Sequence, residues 1–139
     1  MTSLDGDLLA AYQRSEYRVN DGAHVFVMRI EQPSSSLQAC QESFGVANSA
    51  FITAWNPRSV ATSHAVNEAA MERLIAELES RGLRWLRGVG VDPAGAWPGE
   101  PSLLVLGLSL PEAVSLARRF DQHAVVCAAA DAVPHLVLC

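Results

Sequence analysis

The sequence predicts an α+β fold, a two-layer sandwich with a ferredoxin-like (split βαβ) core and extra flanking strands. Two observations carry that expectation. Between residues 50 and 129, apolar runs of strand length and two stretches of helical periodicity follow in the order strand, helix, strand, strand, helix, strand. Strand-like runs near residues 25 and 136 can extend the same sheet. The two halves of the 50–129 segment read as pseudo-repeats, and the helices are expected to cover one face. A fully parallel, doubly wound sheet is the runner-up. With 139 residues, the chain suits one domain, 1–139, able to bury a core without disulfides or metal.

Asp7 followed by Leu8, Leu9 and Tyr12 suggests a short first helix, after which Gly22 turns into a strand over Val25–Ile30. Pro33 and Ser34–Ser36 open a second short helix that carries Leu37, Cys40, Gln41 and Phe44 on one side and stops at Gly45. Residues 50–55 form the next strand. The helix starting near Ser63 carries Val66, Ala70, Met71, Leu74, Ile75 and Leu78 at helical spacing and ends at Gly82. Leu83–Val91 reads as a strand, and Pro93, Gly95, Pro98, Gly99 and Pro101 then force a loop. A strand over Ser102–Leu108 follows. Ser109 and Glu112 have capping-box spacing, and the helix they open turns Ala113, Leu116, Ala117 and Phe120 inward. His123–Ala129 and Leu136–Leu138 supply the last two strands, joined through a turn at Asp131 and Pro134.

Half of the residues are hydrophobic and 18% are charged, which excludes a disordered chain, and no apolar run is long enough to span a bilayer. Acidic residues near the start, with no apolar stretch behind them, point to a cytoplasmic protein. Cys40, Cys127 and Cys139 form no CxxC pair and suit free thiols in a reducing compartment. A net charge of −5 opposes general nucleic-acid binding, since that affinity comes largely from Lys and Arg displacing counterions. No membrane partner is expected either. His24, His64, His123 and His135 show no HxH or HxxxH spacing, so no metal is expected. Gly88-Val89-Gly90 lacks the third glycine and following helix of a dinucleotide fingerprint, and no cofactor is expected.

Candidate site residues converge by topology. In a split βαβ arrangement, the loops Trp55–Ser63, Asp92–Pro101 and Asp121–His123 meet at one end of the sheet. The run Phe51-Ile52-Thr53-Ala54-Trp55-Asn56-Pro57 reads as a buried strand emptying into the first of them. Trp55, Asn56, Arg58, Asn67, Trp97 and Gln122 are the expected ligand-binding residues. Each also has a structural use. Asn56 before Pro57 can bridge a turn, Trp55 and Trp97 can pack at the rim of the core, and Asn67 can face solvent.

That same run, with Asn67, Gly88-Val89-Gly90, Trp97, Glu100-Pro101-Ser102-Leu103-Leu104-Val105-Leu106-Gly107 and Phe120-Asp121-Gln122, resembles the bacterial family called domain of unknown function 3293. The likeness runs from Tyr17-Arg18-Val19 to Leu138. It implies no activity.

Three functions follow from these readings. The first is a small cytoplasmic binding module that takes a small polar or anionic ligand, or a short segment of a partner, at the loop end of the sheet. The second is a small enzyme using Asp92, Glu100 or His64 as acid or base. The third is an interaction module that pairs, or forms an oligomer, through a sheet edge.

Overall fold

The computed structural model describes residues 6–95 and 98–139. Along the chain run α1 (Gly6–Arg14), β1 (Glu16–Asp21), β2 (His24–Met28), α2 (Ser35–Ser43), β3 (Ser49–Ile52), a 3-10 turn (Pro57–Ser59), α3 (His64–Ser80), β4 (Arg84–Val91), β5 (Glu100–Leu106), α4 (Leu110–Arg119), β6 (Ala124–Ala128) and β7 (His135–Leu138). The strands form one seven-stranded sheet in the order β2-β1-β4-β5-β3-β6-β7. Every neighbouring pair is antiparallel, which rules out the fully parallel runner-up. The architecture is α+β. Among the described residues, no helix is long and apolar enough to cross a membrane.

Local chemistry explains most boundaries. Ser34, Ser63 and Ser109 each accept a hydrogen bond from a backbone N–H in the first turn of α2, α3 and α4, and Ser109 with Glu112 completes a capping box. Gly45 and Gly82 follow α2 and α3 in the left-handed region that glycine enters without strain. One element was not expected: β1. Its side chains alternate Tyr17 and Val19 inward with Arg18 and Asn20 outward. Gly22, expected to turn from a helix into a strand, instead joins two strands. Asp21 pairs with His24, leaving Gly22 and Ala23 as a two-residue hairpin loop.

The helices do not all lie on one face, and this corrects the two-layer expectation. Ala50 and Ile52 of β3 pack with Leu103, Val105, Val125 and Cys127 beneath Leu74 and Leu78 of α3 and Leu116 of α4. Phe51, on the reverse side of β3, packs with Leu104, Leu106 and Val126, and Leu37 and Cys40 of α2 belong to that second core. The reason lies in β3, β5 and β6. Their apolar runs are continuous, so they bury side chains on both faces, and a sheet apolar on both faces must be covered on both.

Within α3, the inward stripe is Asn67, Ala70, Met71, Leu74 and Leu78. Val66, expected on that stripe, is 53% exposed. The stripe therefore starts on a polar residue rather than an apolar one, and the local geometry of the site shows why.

Candidate functional site

The chain leaves β3 through a loop with unusual backbone geometry. Asn56, Arg58 and Ser59 adopt φ of 46°, 57° and 59°, a left-handed conformation that costs a residue with a Cβ about 1 kcal/mol. Side chains from two other elements hold it there. Asn67 Oδ1 accepts the Asn56 N–H at 2.8 Å, while Asn67 Nδ2 donates to Asn56 Oδ1 at 2.8 Å and to the Thr62 carbonyl at 3.2 Å. Asn56 Oδ1 also accepts the Thr62 N–H at 3.1 Å. Gln122 Nε2 donates to the Trp55 carbonyl at 3.3 Å, and the Arg58 N–H donates to the Asp121 carbonyl at 2.7 Å.

Trp55, Asn56, Asn67 and Gln122 are thus brought together. The Arg58 guanidinium is exposed, 3.8 Å from Asp121. Trp97 lies outside the described residues. Asn67 is 1% exposed, with both polar atoms bonded to the loop, which is why it takes the first inward position of α3. A buried amide left without partners there would lose about 1–3 kcal/mol.

Because Asn56 Oδ1 already takes two donors, the hydrogen-bond network assigns its NH₂ to the other side, toward Glu100. Glu100 was expected in a loop, but β5 starts on it, and it pairs across the sheet with Gly90, which in turn pairs with Tyr17. The three form a row on the face of the sheet that carries Phe51. Gly90 has no side chain to fill the row, and a Cβ built there meets nothing within 4 Å. The result is a cavity of about 50 Å³ lined by Tyr17, Phe51, Thr53, Gly90, Glu100 and Gln122, among others.

A wider cleft adjoins the cavity. Residues of α1, including Asp7, Tyr12 and Arg14, form one wall, and Asn56, Ser59 and Ala61 form the other. Tyr12 and Glu100 line both spaces. Tyr12 spans the cleft, its hydroxyl 2.7 Å from Ser59 Oγ, which lies 3.2 Å from His123 Nδ1. Burial raises the Glu100 carboxyl to about 7 against the smaller, lowering pull of the Asn56 amide. No arginine or histidine among the described residues forms an ion pair with it.

Asp92, Glu100 and His64 do not converge. Asp92 has a side chain 0% exposed, and Arg14 grips it through Nε and Nη2, each at 2.8 Å. This pair ties α1 to the end of β4 and so places Tyr12 over the cavity. His64 stands on the surface, its Nε2 2.8 Å from Glu68. Of the three, Glu100 alone lines the cavity. Among the described residues, no three His, Cys, Asp or Glu side chains are grouped to hold a metal ion.

Sequence reasoning missed Tyr12, Ser15 and Tyr17. The Tyr17 signal was present in the alternation of Glu16-Tyr17-Arg18-Val19-Asn20-Asp21 before Gly22, a hairpin pattern. Tyr12 and Ser15 reach the site only because α1 folds back over β4 and β5. No curated protein and no solved structure matches the chain. Residues 52–125, just over half of the chain, match the model of the family described as Protein of unknown function (DUF3293), and the chain belongs to that family.

Proposed function

We propose that the chain is a small-ligand binding module whose site is the cavity and cleft that meet at Glu100 and Tyr12. One observation carries this reading. A half-buried carboxylate with no ion-pair partner among the described residues stands at the junction of a narrow cavity and a wider cleft, beside a loop held in a costly backbone conformation. The test is native mass spectrometry of the protein purified from its host, beside Gly90→Val, which fills the cavity without removing a polar group. A small molecule retained by the parent and lost from Gly90→Val is the expected outcome. Equal retention by both, or none by either, would sink the proposal.

A second reading, an enzyme with Glu100 as general acid or base, is favoured by the proton affinity of that residue, which suits proton transfer near neutral pH. Its titration has a consequence for stability. The folded carboxyl holds its proton up to about 7 against a model value of 4.5, so the folded state binds the proton more tightly. The stabilisation from that proton is complete below about 4.5 and disappears as pH rises through about 7. Glu100→Gln mimics the protonated form at every pH. The variant is expected to gain on the parent between pH 5 and pH 8 by up to roughly 3 kcal/mol, at about 1.4 kcal/mol per pKa unit. Urea unfolding at both pH values measures this, and a pH-independent difference would show that Glu100 titrates normally.

We also propose that residues 49–128 form a ferredoxin-like core. The strand order β4-β5-β3-β6, with α3 joining β3 to β4 and α4 joining β5 to β6, supports it. The proposed setting is a bacterial cytoplasm, supported by three free thiols and by the family likeness. For association, the favoured surface is the edge strand β2, where Val25 and Val27 are 67% and 46% exposed.

A further inference from the structure

The hydroxyl and amide groups that line the cavity have little left to donate. Ser15 Oγ donates to the Ala11 carbonyl at 2.6 Å, and Tyr17 Oη donates to the Tyr12 carbonyl. Thr53 Oγ1 donates to the Pro101 carbonyl at 2.7 Å, and Ser102 Oγ donates to the Glu100 carbonyl at 3.0 Å. Gln122 Nε2 donates to the Trp55 and Phe120 carbonyls at 3.3 and 3.1 Å, which leaves its Oε1 as the end of that amide with no hydrogen bond among the described residues. Each hydroxyl has one proton and two lone pairs, so with the proton committed it can only accept. Tyr12, the remaining hydroxyl in the wall, is engaged with Ser59. Apart from Tyr12, whose bond to Ser59 can run in either direction, these side chains offer the cavity acceptors, with the Glu100 carboxylate among them.

The wall also carries two aromatic rings. Tyr17 and Phe51 meet edge to face with centroids 5.5 Å apart, and such rings attract a cation over their faces. Space limits what enters. A water requires roughly 10–15 Å³ of such volume. The cavity of about 50 Å³ admits a head group of a few heavy atoms, with the rest of a ligand in the cleft beyond Tyr12.

Resting on the binding-module reading, we propose that the cavity takes the protonated amino group of a small primary amine, with Glu100 as counter-ion and Gln122 Oε1 and the committed hydroxyls as further acceptors. The body of the ligand lies in the cleft between α1 and the Asn56–Ala61 loop. An anionic head group, the other class expected from the sequence, would meet the Glu100 carboxylate and these acceptors in the cavity and is disfavoured there. An arriving ammonium holds Glu100 as the carboxylate, any proton it still carries passing to solvent, because the ion pair offsets what burial costs.

Three probes with four carbons each separate the classes: butylammonium, butyrate and butanol, each titrated at pH 8 into ¹⁵N-labelled full-length protein. Butylammonium is expected to shift the amide resonances of Thr53, Gly90, Ser102 and Gln122 saturably, and the other two are not. Glu100→Gln should weaken it roughly tenfold or more, as loss of a charged hydrogen bond does. Gln122→Leu, which keeps Glu100 intact, should weaken it to a smaller extent. Butanol or butyrate shifting the same resonances as strongly would overturn the amine assignment and leave a polar-ligand site standing. Butylammonium binding that is unchanged in Glu100→Gln overturns it as well. No shift at these residues from any of the three would remove both the assignment and the binding-module reading beneath it.

Discussion

Leu74→Ala is expected to lower the unfolding free energy by roughly 2–5 kcal/mol, the range for large-to-small changes in a packed core. Leu74 is 0% exposed at the middle of α3, in a core shared with Ala50 and Ile52 of β3, Val105 of β5 and Leu116 of α4. The substitution removes three carbons from water-free surroundings and leaves a void. Closing that void requires α3 to sink toward the sheet. Asn67 opposes this movement at the start of the helix, because its three hydrogen bonds tie α3 to the 56–62 loop. Poor relaxation places the cost in the upper half of the range. Val66→Ala, one residue before the inward stripe and 53% exposed, is expected to cost a few tenths of a kcal/mol. Urea unfolding of the pair measures the contrast. Equal midpoints for the two variants would mean that α3 presents a different face to the sheet.

Gly88→Ala is the second large effect, and it comes from overpacking. Gly88 lies at the centre of the sheet, paired with Val19 of β1 on one side and Ser102 of β5 on the other. A Cβ there would stand 2.5 Å from the Arg18 carbonyl oxygen and 2.7 Å from Phe51 Cε2. The phenyl ring can swing aside at some cost to its contact with Tyr17. The carbonyl cannot move without parting β1 from β4, so the loss is expected at or above the top of the roughly 1–3 kcal/mol usual for overpacked cores. Gly90→Ala supplies the control. Two residues along the same strand, on the same face, its Cβ meets nothing within 4 Å and points into the cavity. That variant is expected to fold with near-parental stability. Thermal melts of both variants test the comparison, and a Gly88→Ala melt matching that of Gly90→Ala would refute the close approach of β1.

These two glycines illustrate how legibility divides. Both were visible as Gly88-Val89-Gly90, and their fit to a nucleotide loop was rejected on local grounds. Their actual use, one for the approach of a strand and the other for a cavity, depends on β1, which joins the sheet from more than sixty residues earlier in the chain. Asn67 behaves similarly. It was expected to bind a ligand or to face solvent, whereas its partners Asn56 and Thr62 are defined by how the loop folds back over α3.

The sequence by itself determined the elements whose causes are local. Serine caps at 34, 63 and 109, glycine stops at 45 and 82, and the helical stripe of Leu74 and Leu78 all act within a few residues, so each could be read in place. It also determined that the loops after β3 and β4 and before β6 would meet, because strand direction follows from element order. Only the tertiary structure decided what occupies their meeting point. Which of Asp92, Glu100 and His64 is buried, paired or exposed depends on what covers each. Arg14 reaches Asp92, α1 closes over Glu100, and His64 is left in water. A carboxylate acquires its chemistry from its surroundings rather than from its neighbours in sequence, since burial and counter-ions set its charge, and both come from residues far along the chain.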